Sequence, residues 1–199
     1  MIRMLFVIII LLAHYGSNST GSAAPIKDYT AKHTEALAFC KQEKYCEDYY
    51  FLIDLSVHSG KNRFYIYDFK QHKIIAQNLV THGSCDVFTD NDAKYEKAKV
   101  SNRNDSHCSA AGKYKTGKRD YSSWGIKVKY WLEGLEATNS NAQNRTVVLH
   151  SWDAVPDTEI YPRYSPLSWG CPAVSDNFMR LLDVRLQATK KPVLLWIID

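Results

Sequence analysis

Apolar and polar positions alternate along this chain in short blocks, most of them with the period of a strand. Residues 49–55 form an apolar, aromatic run, the turn signal His58-Ser59-Gly60-Lys61 follows, and residues 63–68 and 73–80 read as two further strands. Three runs with tight connections predict a meander. The clearest alternation sets Ile126, Val128, Tyr130 and Leu132 against Lys127, Lys129 and Trp131, as in a strand with one buried face. Residues 146–149 predict a strand after the loop 139–144, and the continuous apolar run 193–198 predicts a strand of a buried sheet. Helical character is confined to two segments. Phe178, Leu181, Leu182 and Leu186 recur at helical spacing behind the start signal Ser175-Asp176. Residues 30–44 mix Ala, Leu, Lys and Glu with few breakers, with Thr30 as the expected cap. Residues 81–123 are polar outside the block from Gly112 to Gly117 and predict a long irregular segment, of the kind that is functional or mobile. The expected class is mostly β with flanking helices.

Composition adds a core and an export signal. With 199 residues, 45% hydrophobic, and 13 Tyr, 5 Trp and 7 Phe, the chain has material for one core and is not disordered in character. Arg3 precedes an apolar run from Met4 to Ala13, and the small residues from Gly16 to Ala24 follow. That order predicts a secretory signal peptide over residues 1–23, cut near Ala23 because Pro25 disfavours a cut directly before it. The apolar run is half of the about 20 residues a spanning helix needs, and no cysteine precedes the cut, so no stable membrane anchor is expected afterwards. Residues 24–48 then form an N-terminal helical segment and 49–199 the main domain, expected as a monomer in the periplasm or secreted. From Lys94 to Lys129 there are ten Lys or Arg against three acidic residues, a stretch suited to an anionic polymer or simply to solvent. With a net charge of only +4 and no nucleic-acid motif, a nucleic-acid partner is not expected.

Five cysteines in a chain expected to be exported leave one thiol unpaired. Local pairing in an oxidising compartment predicts bridges Cys40–Cys46 and Cys85–Cys108. A zinc site of His82, Cys85, His107 and Cys108 competes with this, although adjacent His and Cys fit no common zinc module. Cys171 stands in Ser168-Trp169-Gly170-Cys171-Pro172-Ala173, twenty-one residues after His150 at the end of Val147-Val148-Leu149-His150-Ser151. A thiol is a strong nucleophile only as thiolate, and a nearby base brings its pKa of about 8.5 toward neutral. If the fold joins these two segments at one end of a sheet, Cys171 attacks an acyl carbon and His150 takes and returns the proton. Backbone N–H groups of the Trp169-Gly170-Cys171 turn then face the oxyanion, Gly170 letting the peptide turn inward. The plain alternatives are an inert core thiol and a satisfied strand-end histidine. Ser168 bonds either the turn or a substrate. Trp152 and Trp169 either flank a substrate or pack at the sheet end.

These residues resemble the signature of YkuD-like L,D-transpeptidase catalytic domains, in particular the murein L,D-transpeptidase subgroup with Ser-Trp-Gly-Cys-Pro-Ala. The likeness extends through Phe51-Leu52-Ile53-Asp54-Leu55-Ser56, Thr81-His82-Gly83, Gly112-Lys113-Tyr114-Lys115-Thr116-Gly117 and Leu132-Glu133-Gly134-Leu135, and so covers most of the chain after residue 50. The resemblance implies an L,D-transpeptidase-like β-sandwich or barrel with no cofactor, acting on peptidoglycan stem peptides. Such enzymes cut before the terminal D-Ala of a tetrapeptide stem, at the carbonyl of the diamino acid's L-centre. They pass the acyl group to another diamino acid's side-chain amine, or to water as L,D-carboxypeptidases. The resemblance further implies that His150 donates its other ring N–H to the Ser151 carbonyl, and that His82 and Tyr114 line the cleft. This chain departs from the larger family in having Trp169 for a His and Pro172-Ala173 where an Arg or Asn is usual nearby. It departs from the subgroup in having Ser151 for a Gly, a change a carbonyl role tolerates. A cysteine amidase or peptidase of ordinary peptides and a non-catalytic wall-binding module are the competing functions.

Overall fold

The computed structural model describes residues 27–86 and 93–199. The expected signal peptide lies outside them. One eight-stranded sheet dominates, built from β1 (Tyr49–Asp54), β2 (Phe64–Asp68), β3 (Lys73–Asn78), β4 (Gly112–Tyr121), β5 (Val128–Gly134), β6 (Val148–Ser151), β7 (Ala173–Val174) and β8 (Val193–Ile198). Their order across the sheet is β3-β2-β1-β8-β4-β5-β6-β7. β1 pairs with β8 and β6 with β7 in parallel, and the remaining neighbours are antiparallel. The sheet curls until its edges nearly meet: Thr81, just beyond β3, donates its N–H to the Ala173 carbonyl in β7 at 2.9 Å. The architecture is therefore a mostly β, nearly closed barrel.

Burial explains the strand sequences. β1 is buried along its whole length and β8 along all but its last residue, because each has protein on both faces. On the inner face Phe51, Ile53, Phe64, Tyr114, Leu132, Leu149 and Leu195 share a core with Phe178, Met179 and Leu182 of helix α3 (Asp176–Ala188). On the outer face Tyr50, Leu52, Leu194 and Trp196 pack against Ala36 and Cys40 of helix α1 (Thr30–Gln42). α3 starts where Ser175 places its Oγ to accept from the Phe178 N–H at 3.3 Å. Its inward stripe uses Met179 in place of the expected Leu181, which is 36% exposed. Thr30 does not cap α1. It is the first helical residue, and the Asp28 carboxylate accepts its N–H at 2.9 Å.

Two sequence expectations are corrected. Residues 81–123 are not irregular throughout: β4 occupies 112–121 and is central to the sheet, between β8 and β5. Its inward positions are Gly112, Tyr114 and Thr116, with Lys113 and Lys115 outward, so only one large apolar side chain marks it. The second concerns the cysteines. Cys85 and Cys108 are bridged, but Cys40 and Cys46 are separate buried thiols, Cys40 on the inward side of α1 in the outer-face cluster and Cys46 in the inner core. The bridge also removes the zinc reading, since two of its four ligands are bonded to each other.

Candidate active site

The open edge of the barrel brings the two motif segments together. β6 carries His150 and Ser151, which pair in parallel with Ala173 and Val174 of β7, and Cys171 lies two residues before Ala173. The turn that delivers Cys171 is held by hydroxyls. Ser168 Oγ accepts from the Gly170 N–H (3.1 Å) and donates to the Cys171 carbonyl (2.7 Å). Thr81 Oγ1 donates to the same carbonyl and accepts from the Ala173 N–H, both at 3.0 Å. Backbone bonds from Ser168 N–H to the His82 carbonyl and from Ser84 N–H to the Ser168 carbonyl, each 2.9 Å, tie the turn to residues 82–84. Gly170 is required twice over. Its φ is +106°, and a Cβ there would stand 2.5 Å from the Cys108 carbonyl oxygen.

His150 is buried, and its Nδ1 is 2.9 Å from the Ser151 carbonyl. A carbonyl only accepts, so Nδ1 bears the proton and the neutral ring offers Nε2 as base. The Ser151 hydroxyl faces the other way and accepts from the Ile126 N–H at 2.9 Å. The Cys171 thiol donates to the Thr146 carbonyl at 3.6 Å and accepts from the Val148 N–H at 3.5 Å. Among the described residues it has no hydrogen bond to His150. Burial lowers the His150 pKa, aided by Lys129 and opposed by the Ser151 carbonyl. Burial raises that of Cys171, against the Val148 N–H, Arg145 and Lys129. The resting pair is a neutral imidazole and a neutral thiol.

The remaining expected residues divide by exposure. Trp169 is 76% exposed beside Cys171 and stacks on His107 with centroids 5.0 Å apart, while Trp152 meets Trp124 edge-on at 5.7 Å on the Ser151 side. Trp169 is exposed and Trp152 half-buried. His82 and Tyr114 are both buried. His82 accepts from Arg63 Nη2 at Nδ1 and donates from Nε2 to the Lys94 carbonyl, each 2.8 Å, and burial with the adjacent guanidinium lowers its pKa to about 4. Tyr114 is fully buried and donates to the Ala110 carbonyl at 2.7 Å. The Ser168 hydroxyl has its donor and one acceptor lone pair committed to the turn.

Arg145 and Lys129 carry no motif and were not singled out by the sequence. Arg145 Nη1 donates to the Ser101 carbonyl at 2.9 Å and Nη2 to the Cys108 carbonyl, clamping the bridged loop against Gly170. Lys129 sits directly across from His150 on β5. Its outward place in the alternating strand was the one available signal.

A family model for the L,D-transpeptidase catalytic domain matches residues 23–195, and the chain belongs to that family. No match is found among curated protein sequences. Solved structures similar to it include Bd1075 of Bdellovibrio bacteriovorus, with 16% identity over 77% of this chain and 49% of that one and a TM-score of 0.45. An L,D-transpeptidase of Xylanimonas cellulosilytica shares 12% over 80% and 68% of the two chains, TM-score 0.41. Pgp2, the helical cell shape determining protein of Campylobacter jejuni, shares 14% over 81% and 54%, TM-score 0.40. The chain spans about half the length of Bd1075 and of Pgp2. No helix of the described residues is long and apolar enough to cross a membrane.

Proposed function

We propose that this protein is an exported cysteine acyltransferase that acts on peptidoglycan tetrapeptide stems. The observation that carries the reading is the pairing of β6 with β7, which sets a histidine of fixed tautomer on the strand beside the one Cys171 leads into. In the first half-reaction the thiol turns from the Thr146 carbonyl to His150 Nε2 and gives up its proton. The sulfur attacks the carbonyl carbon of the diamino acid's L-centre. The Gly170 N–H is already bonded to Ser168, whereas the Cys171 N–H has no partner among the described residues, so the latter is the turn's donor to the oxyanion. Collapse breaks the C–N bond, His150 passes its proton to the departing D-Ala amine, and a thioester remains. An incoming side-chain amine then loses a proton to His150 and attacks, and the sulfur leaves and is reprotonated. Trp169 on the cysteine side and Trp152 with Trp124 on the histidine side flank the stem.

The test is mass-resolved product analysis of disaccharide-tetrapeptide muropeptides incubated with the mature protein and with Cys171→Ala. Cross-linked dimers made only by the wild type are expected. Release of D-Ala alone would assign an L,D-carboxypeptidase, and unchanged substrate with both proteins would overturn the reading in favour of another acyl substrate or a binding module.

A further inference from the structure

Lys129 occupies a position that the proposed chemistry leaves unexplained. It is the register partner of His150 on one side and of Asp120 on the other. Direct cross-strand partners project on the same face with Cβ atoms about 5 Å apart, so the lysine rises beside the imidazole on the face of β6 from which His150 projects. Its field depresses the proton affinity of both His150 and Cys171, as expected of a cation near both groups. The ammonium nevertheless forms no ion pair or hydrogen bond among the described residues, and its contact is the Trp131 ring at 4.8 Å. Asp120, its cross-strand neighbour, accepts from Trp131 Nε1 (3.1 Å) and the Tyr121 N–H (2.8 Å), bonds that hold its carboxyl below the usual range with smaller help from the fields of Lys118 and Lys129. Three other cations of this sheet are matched, Lys113 to Glu35 and Glu136, Lys115 to Glu133 and Arg119 to Asp183, while Lys73 and Lys118 at its surface form no ion pair among the described residues. Arg145, the second cation near the thiol, is committed to two backbone carbonyls.

We propose that Lys129 binds the free α-carboxylate of the residue that departs from the acyl donor, and so restricts the enzyme to stems that end at that residue. This rests on the acyl-transfer reading above. The departing amine must lie at His150 Nε2 to receive its proton, and the carboxyl carbon of the same residue is two covalent bonds from the amine, which puts its oxygens within about 4 Å of the amine nitrogen. A cation rooted on the strand position opposite His150 is within reach of them. A substrate continuing past this residue, or amidated there, offers Lys129 no charge and forfeits that charge-assisted bond.

The experiment compares kcat/KM of the mature protein for a tetrapeptide stem with a free C-terminal D-Ala and for the same stem as its C-terminal amide, in wild type, Lys129→Met and Lys129→Arg. Wild type is expected to favour the acid by about tenfold or more, the range of one charge-assisted hydrogen bond. Lys129→Met is expected to bring the two substrates to near equality, and Lys129→Arg to restore part of the preference. If Lys129→Met slows both equally and keeps the preference, or if wild type shows none, the assignment of Lys129 is wrong while the acyl-transfer reading stands. If wild type releases neither D-Ala nor its amide from any stem, that reading fails and this one with it.

Discussion

The hydrogen bond from His150 Nδ1 to the Ser151 carbonyl explains why a serine is tolerated there: the backbone orients the imidazole, and the side chain serves Ile126. The meeting of the His150 and Cys171 segments at adjacent strands was legible in the sequence because each stands in a short, characteristic block. Arg145 and Lys129 were not, because a cation's value depends on what the fold sets beside it. His150→Ala is expected to cut kcat by about 10²–10⁴-fold and Cys171→Ala to abolish turnover, with circular dichroism unchanged for both. Retained turnover in either would contradict the assigned roles. Because burial first, and Lys129 second, hold the His150 pKa below its usual 6.5, the base stays neutral into mildly acid solution. The acid limb of kcat/KM should therefore fall below pH 6.5, and a limb above 7 would show a protonated, not neutral, resting histidine. Gly170→Ala meets the Cys108 carbonyl in a left-handed backbone, and a loss of about 1–3 kcal/mol is expected in a denaturant titration.

At the scale of elements, periodicity found what burial on one or both faces writes plainly. β5 and β8 alternate or run apolar as their surroundings demand, and α3 carries both its stripe and its cap. β4 escaped because its inward residues are Gly, Tyr and Thr, and its outward lysines are held by carboxylates that only the folded chain brings near. The segment between β3 and β4 reached the site in an unforeseen way, through His82 and the fully buried Arg63, which also donates to the Val80 and Val57 carbonyls. His82 has a pKa of about 4 when folded and about 6.5 when unfolded, so the unfolded chain binds its proton first. Stability from this group is full above pH 6.5 and is lost as pH falls toward 4, by at most roughly 3 kcal/mol. His82→Gln should flatten that part of the Tm-versus-pH curve, and an unchanged slope would show that other groups set it.

Over the whole molecule, a nearly closed sheet has one weak seam, and the candidate site is built on it. Thr81 bonds across the seam to Cys171 and Ala173, and the Cys85–Cys108 bridge fixes the loop whose Cys108 carbonyl abuts Gly170 and Arg145. The bridge closes a separation of 23 residues, so Cys85→Ser with Cys108→Ser should cost about 3 kcal/mol and lower Tm by roughly 5–10 °C. No change in Tm would show that Arg145 and the backbone hold the loop unaided. Cysteine count indicated a spare thiol but not which pairs close, since Cys40 and Cys46, near in sequence, lie on opposite faces of the sheet. In the proposed reaction Cys171 carries the acyl group. Intact-protein mass spectrometry of the mature protein, mixed with a tetrapeptide stem and quenched in acid before deacylation, tests it most directly. The predicted result is an adduct equal to the stem less its terminal D-Ala, mapped to Cys171 and absent in Cys171→Ala; D-Ala release with no adduct, or an adduct on another residue, would contradict it.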